Sequence, residues 1–255
     1  MLILLSPAKD LSDAPVPAVK GATRPELLEH SAPLVNKLKG FSAKKLAKLM
    51  DINPKLAELN RERYQNWSTP FTSKNARPAV FTFNGEAFRG LDARTMDADD
   101  LRFAQHHLRI LSGLYGVLRP LDLMQPYRLE MGTSLPVGRK KNLYAYWGDR
   151  ITDALRKDLA ENHSDVVVNL ASTEYFKAVQ AKELQARIIT PVFKDRTAGG
   201  YKVVMVYAKQ QRGAMARHII QHRLLEPDKL KAYKGDGYKF SKEDSTEHEW
   251  VFVRG

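Results

Sequence analysis

The stretch Val166-Val167-Val168-Asn169-Leu170-Ala171-Ser172-Thr173-Glu174-Tyr175 is a short apolar run that ends in small polar residues and an acidic helix start. A run of β-branched residues this short fits a strand covered on both faces, and Ser or Thr before Glu fits a helix N-terminus. Three other segments repeat the pattern. Leu2–Leu5 runs into Ser6-Pro7-Ala8-Lys9, Ala79–Phe83 into Asn84-Gly85-Glu86, and Arg109–Leu111 into Ser112-Gly113-Leu114-Tyr115-Gly116. Further strands are expected at Arg187–Phe193, Tyr201–Tyr207 and Glu249–Val253. Helices are expected at Arg24–Leu38, Ala43–Met50, Pro54–Asn66, Ala98–His107, Leu143–Glu161, Thr173–Val179 and Gln210–Leu224. Strands alternating with helices predict a mixed α/β fold, with a central mixed sheet flanked by helices and extra helices near the N-terminus. One domain is expected over residues 1–255, with a helical insertion at about 24–66.

The chain has 255 residues, 43% hydrophobic and 27% charged, which excludes collagen-like, disordered and disulfide-scaffold classes. Its longest apolar runs fall far short of the roughly 20 residues of a spanning helix, so no membrane association is expected. Met1–Leu5 lacks the basic start of a secretion signal, and a cytoplasmic location is expected. There is no cysteine, so thiol redox chemistry, Cys-ligated zinc and iron–sulfur clusters are excluded. A net charge of +12 with a pI near 9.7 points to a nucleic acid or another polyanion as partner. The excess is concentrated: Ala181 to Leu225 holds nine Lys and Arg against two acidic residues.

In open α/β sheets, ligands bind beyond the carboxyl ends of strands, where helix N-termini offer free N–H groups. If the four segments are parallel neighbours, Ser6, Asn84, Ser112 and Ser172 line one crevice suited to an anion. These residue types are equally ordinary caps and turn formers. On the helix at Gln210–Leu224, Arg212 and Arg223 share the side of the apolar residues Met215, Ala216, Ile219 and Ile220, with Lys209 at its edge. Arg217 points away. Arginines on an inward face call either for an internal carboxylate or for a bound phosphate. His218 and His222 have metal-binding spacing but no third ligand, so no metal and no cofactor are expected. Ser6 with Lys9, or Ser112 with Tyr115, are conceivable nucleophile–base pairs, yet no motif names a reaction. Gly113-Leu114-Tyr115-Gly116 reads either as a strand end or as the turn of a helix-hairpin-helix, which offers backbone N–H groups to phosphate.

Several blocks together resemble the YaaA family of bacterial peroxide-stress-resistance proteins. They are Met1–Lys9, the long run from Leu108 through Ser112-Gly-Leu-Tyr-Gly-Val-Leu-Arg-Pro120 to Met131, Tyr146–Asp149, Asn169–Lys177 and Tyr207–Gly213. The resemblance implies a fold of the family's own, and a cytosolic protein that limits free intracellular iron. It also implies DNA binding through a positively charged cleft and a helix-hairpin-helix-like element. A non-enzymatic, monomeric DNA-binding protein is therefore expected, making mainly sequence-independent phosphate contacts. Lys9, Arg109, Arg119, Arg128, Lys209 and Arg212 would meet phosphates, with Gly113 and Gly116 in the hairpin and Tyr115 and Tyr127 near the sugars. The alternative is an enzyme holding a phosphorylated or nucleotide-like small molecule through Ser6, Lys9, Ser112 and Ser172.

Overall fold

Burial explains where the central strands lie. Leu2–Leu5 is buried at every position, so that strand must be covered on both faces, as the middle of a parallel sheet requires. The computed structural model describes residues 1–255. The chain runs through β1 (Leu2–Leu5), β2 (Asp10–Leu11), α1 (Leu28–Lys39), α2 (Ala43–Met50), α3 (Pro54–Asn66), β3 (Arg77–Pro78), α4 (Ala79–Thr82), β4 (Phe83–Asn84), α5 (Glu86–Leu91) and α6 (Ala98–His107). It continues through β5 (Leu108–Ser112), β6 (Gly116–Leu118), β7 (Leu123–Met124), α7 (Leu143–Trp147), α8 (Arg150–Glu161), β8 (Val166–Leu170) and α9 (Thr173–Phe176). The last part holds β9 (Arg187–Thr197), β10 (Gly200–Lys202), α10 (Met205–Gln221), β11 (Lys239–Ser241) and β12 (Glu249–Arg254).

The main sheet has the order β11-β12-β9-β8-β1-β5-β6, with β10 also pairing with β9. Its five middle strands are parallel, and β11, β6 and β10 add antiparallel pairings, so the sheet is mixed as expected. The chain leaves β1 for β5 on one side and then returns to β8 on the other. That reversal at β1 creates a topological switch point. A contiguous apolar cluster extends from Met1 to Phe252. The helices α1–α3 join it through Leu34, Val35, Leu38, Leu46, Ala57 and Tyr64.

Two expected strands are corrected. Ala79–Phe83 is not a sheet strand: α4 occupies Ala79–Thr82, and only Phe83–Asn84 is extended, paired antiparallel with β2. The amides of Ala79 and Val80 donate to the carbonyls of Asp122 and Pro120, and the Thr82 hydroxyl donates to Pro78. The carbonyls of Asp122 and Pro120, distant in sequence, override a β-prone composition. Tyr201–Tyr207 divides: extended backbone ends at Lys202, and α10 starts at Met205, earlier than the expected Gln210. The single helix expected at Leu143–Glu161 is broken at Gly148, whose φ of 50° and ψ of −123° no helix accepts.

α10 crosses α5 at a distance that only glycine allows. A Cβ on Gly213 would lie 1.7 Å from the Ala87 carbonyl oxygen, and one on Gly90 would lie 2.0 Å from that of Gln210. The helices thus meet backbone to backbone at both contact points. Because backbone cannot retreat as a flexible side chain can, substitution forces the helices apart. Gly213→Ala is expected to cost about 3 kcal/mol, read as a lowered midpoint in chemical denaturation, whereas Ala214→Ser beside it stays within ~1 kcal/mol. An unchanged Gly213→Ala midpoint contradicts this packing.

Candidate functional site

The carboxyl ends of β8, β1 and β5 lie side by side, and small polar residues follow each. The Ser172 amide donates to Ser6 Oγ at 2.8 Å, and the two hydroxyls are 3.2 Å apart. Ser112 Oγ accepts from the Tyr115 amide at 2.9 Å and lies 2.6 Å from the Tyr127 hydroxyl. Asn84 arrives by a different route, through the antiparallel register that sets it opposite Asp10. The adjoining Gly85 lies so close to the segment after β1 that a Cβ there would be 2.9 Å from Ala8 Cβ. The topology therefore gathers Ser6, Lys9, Asn84, Ser112 and Ser172 at one end of the sheet.

That end is roofed, not open. The segment 125–132 crosses it so closely that a Cβ on Gly113 would be 2.2 Å from the Leu129 carbonyl oxygen. Tyr127 of that segment and Tyr175 of α9 are both buried, and burial pushes both phenols well above their ordinary range. Lys9 Nζ reaches Glu130 at 2.8 Å, and Arg128 reaches the same carboxylate at 3.1 Å. A shallow cleft remains between Lys9, Arg128 and Tyr175, with Glu130 supplying its negative charge. The buried Arg128 Nε has no acceptor.

Several expected phosphate contacts are corrected here. Arg109 is buried, and its guanidinium is bound to Asp158 of α8, with an Nε–Oδ2 distance of 2.6 Å. Arg119 lies within 3.8 Å of Asp158, Glu26 and Glu161, so it is committed to an acidic cluster. Gly113 to Gly116 forms the turn of the β5–β6 hairpin, not a helical hairpin, and all four residues are buried. Gly116 has φ +70°, and a Cβ there would strike Trp147 and Leu27. Tyr115 is fully buried, its hydroxyl 3.1 Å from Trp67 Nε1 and donating to the Gln125 carbonyl at 3.0 Å. Ser112 and Tyr127 are buried as well, so none of these groups meets a duplex backbone.

The arginines of this segment part company. α10 ends at Gln221, short of the expected Leu224, so Arg223 lies beyond the helix at φ 51°, exposed instead of inward, and pairs with Asp100 at 2.7 Å. Arg217 is half-buried and donates to the carbonyls of Leu91 and Asp92 at 3.1 and 2.7 Å, capping α5 instead of pointing into water. Lys209 is exposed and Arg212 half-buried, and neither has a carboxylate within ion-pair distance. Burial holds the Arg212 guanidinium below its usual range with no acid opposing it. The rings of His218 and His222 lie 4.2 Å apart, tilted by 42°, and no group of three or more His, Cys, Asp or Glu is placed to hold a metal ion.

A helical hairpin does exist, in α2 and α3. Ser42 Oγ accepts from the Lys45 amide at 3.3 Å and caps α2. Asp51 turns the chain in the left-handed region, at φ 50° and ψ 57°, and the amides of Asp51 and Ile52 close back on Ala47. Asn53 then caps α3 by accepting from the Leu56 amide at 2.9 Å, and Pro54 sets the first helical turn. Ile52 packs inward while Asp51, Asn53 and Pro54 stay exposed. Lys48 and Lys55 flank the turn and Lys44 lies one helical turn before Lys48 on α2, all three exposed and without acidic partners. Both helix ranges were legible from periodicity. The turn's signals were Ser42 as a cap and Asn53-Pro54 as a helix start.

A family model described as "Peroxide stress protein YaaA" matches residues 1–244. The chain belongs to this family. It is 53% identical to a UPF0246 protein of Ralstonia nicotianae over 254 residues, which covers 100% of this chain and 99% of the relative. A UPF0246 protein of Saccharophagus degradans is 53% identical over 100% and 99% of the two chains, and one of Neisseria meningitidis serogroup B is 49% identical over 100% and 98%. The match extends from the strand ends through the roof to α10.

One buried acid of this YaaA-family chain makes its stability sensitive to pH. Asp122 accepts from the Thr23 hydroxyl at 2.6 Å and the Arg119 amide at 2.7 Å, yet burial pushes its carboxyl up to about 6. A raised carboxyl favours folding while protonated, so its contribution is full below pH ~4 and lost as pH rises through about 6. His107 runs the other way, since burial lowers its imidazole to about 4. The Asp122 effect is isolated by comparison with Asp122→Asn. Between pH 4 and 7 the wild type is expected to lose on the order of 2 kcal/mol relative to that variant in chemical denaturation. A pH-independent difference contradicts the assignment.

Proposed function

We propose that this peroxide-stress protein binds DNA in the cytoplasm, chiefly through phosphate contacts that do not read sequence. The observation that carries the reading is the exposed helical hairpin, whose turn is flanked by the unpaired Lys48 and Lys55, with Lys44 one helical turn further along α2. At the N-terminus of α3 the Lys55 amide stays free beside these cations, since Pro54 has no N–H and Asn53 takes those of Leu56 and Ala57, and a free amide among cations suits a phosphate. The net charge of +12 and the unpaired Lys209 and Arg212 add a long-range field that attracts a polyanion. By occupying DNA, the chain limits the damage that peroxide does through free intracellular iron. The iron limb rests on the family resemblance, and the binding limb on the hairpin.

The other reading, an enzyme holding a phosphorylated small molecule at the strand ends, is less well supported. Glu130 already stands between Lys9 and Arg128, where such an anion would sit. No helix of the structure is long and apolar enough to cross a membrane.

The test is fluorescence anisotropy with labelled duplex, bent and single-stranded DNA across a salt series. Affinity is expected to fall steeply with salt. The slope should drop by about two to three units in Lys44→Ala/Lys48→Ala/Lys55→Ala, and by about one to two in Lys209→Ala/Arg212→Ala. No wild-type binding near physiological salt contradicts the proposal. A triple variant that binds with the wild-type slope removes the hairpin from it.

A further inference from the structure

One cavity shares no lining residue with the strand ends or with the helical hairpin. It holds about 630 Å³ between the irregular segment Pro17–Gly21 and one side of α6. Phe81, Leu101 and Leu121, all buried residues of the core, form its apolar floor. Every ionisable residue in its wall is basic: Lys20, Arg94, Arg102 and His106 line it, and no Asp or Glu does.

These cations have distinct duties. Arg94 ties down the overlying segment by donating to the Pro15 carbonyl at 2.8 Å, and it lies over the Phe81 ring at 5.9 Å. The segment is fixed again at its far end, where the Thr23 amide donates to the Leu121 carbonyl at 3.0 Å and Gln105 reaches the Thr23 hydroxyl at 2.9 Å. The cavity roof is therefore anchored on both sides. Lys20 is exposed at the mouth and forms no ion pair. Arg102 is exposed and pairs only with the equally exposed Asp99 at 2.7 Å, a contact that water screens.

A preformed cavity of some hundreds of cubic ångströms, apolar at the floor and with few polar groups, is the usual form of a small-ligand site. Here the polar groups carry one sign and stand at the mouth. We propose that this cavity binds a small organic acid, its apolar body seated on Phe81, Leu101 and Leu121 and its anionic group facing Lys20 and Arg102. The body is desolvated on the floor while the charge stays near water, which avoids the cost of burying an ion.

The probe is 1-anilinonaphthalene-8-sulfonate, with the uncharged N-phenyl-1-naphthylamine as its comparison, each titrated into the full chain by fluorescence. Ala98 is exposed at the mouth and lines the cavity, so Ala98→Trp fills it without disturbing the core. One sulfonate per chain is expected, weakened about tenfold or more by Ala98→Trp. Lys20→Glu/Arg102→Glu should weaken the sulfonate about fivefold and the neutral probe less than about twofold, since only the former carries the charge. Thermal melting of each variant verifies the fold. Met205→Ser/Val206→Ser controls for the exposed apolar residues at the start of α10, where Met205 is 58% exposed. Sulfonate binding that survives Ala98→Trp, or that disappears in the α10 control, overturns the site. Equal loss of both probes in the charge variant overturns the recognition of an acid.

Discussion

Gly90 and Gly213 let α5 and α10 touch backbone to backbone, and most of what stands at the carboxyl end of the sheet follows from that contact. α10 packs on the sheet through Ala208, Met215, Ala216, Ile219 and Ile220, so it fixes where α5 can lie. α5 in turn begins at the Asn84–Gly85 turn, which is held against Ala8. A wider crossing would shift Asn84 from the segment after β1 and move Lys209 and Arg212 with their helix. Close helix approach here is the device that brings residues from both ends of the chain to one place.

Charge divides along the same lines as burial. The buried Arg109 has the carboxylate of Asp158, while the exposed Arg223 and half-buried Arg254 also find acids, Asp100 and, at 2.8 Å, Asp195. A cation buried as deeply as Arg109 would be too costly to keep without such a partner. The excess positive charge is consequently carried outside, on residues such as Lys44, Lys48, Lys55 and Lys209. Net charge alone says that a surplus exists. Only the packing says which cations are spent on carboxylates and which face a partner.

Much of the sheet was legible, because β1, β8 and β12 centre on short apolar runs and β9 alternates buried with more exposed positions, and such patterns have few other destinations. Ala79–Phe83 and Tyr201–Tyr207 have the same composition but other neighbours. The carbonyls of Pro120 and Asp122 draw the first into a helical turn, and the apolar face of α10 takes over the end of the second. At the site, the gathering of Ser6, Ser112 and Ser172 followed from parallel strands. The roof over them could not be read, since segment 125–132 carries no period and its fit depends on Gly113. Arg109 misled for a related reason: its partner Asp158 lies 49 residues away in sequence, beyond any local pattern.

The central claim is that the hairpin of α2 and α3 is the face that meets DNA, while the roofed strand ends are structural. Backbone amide NMR shifts, followed as a short duplex is added, test it directly. The account predicts the largest changes at Asp51–Leu56 and along Lys44–Lys48, with Ser6, Ser112 and Ser172 unmoved. Changes centred on those serines and on Lys9, with a silent hairpin, would contradict it.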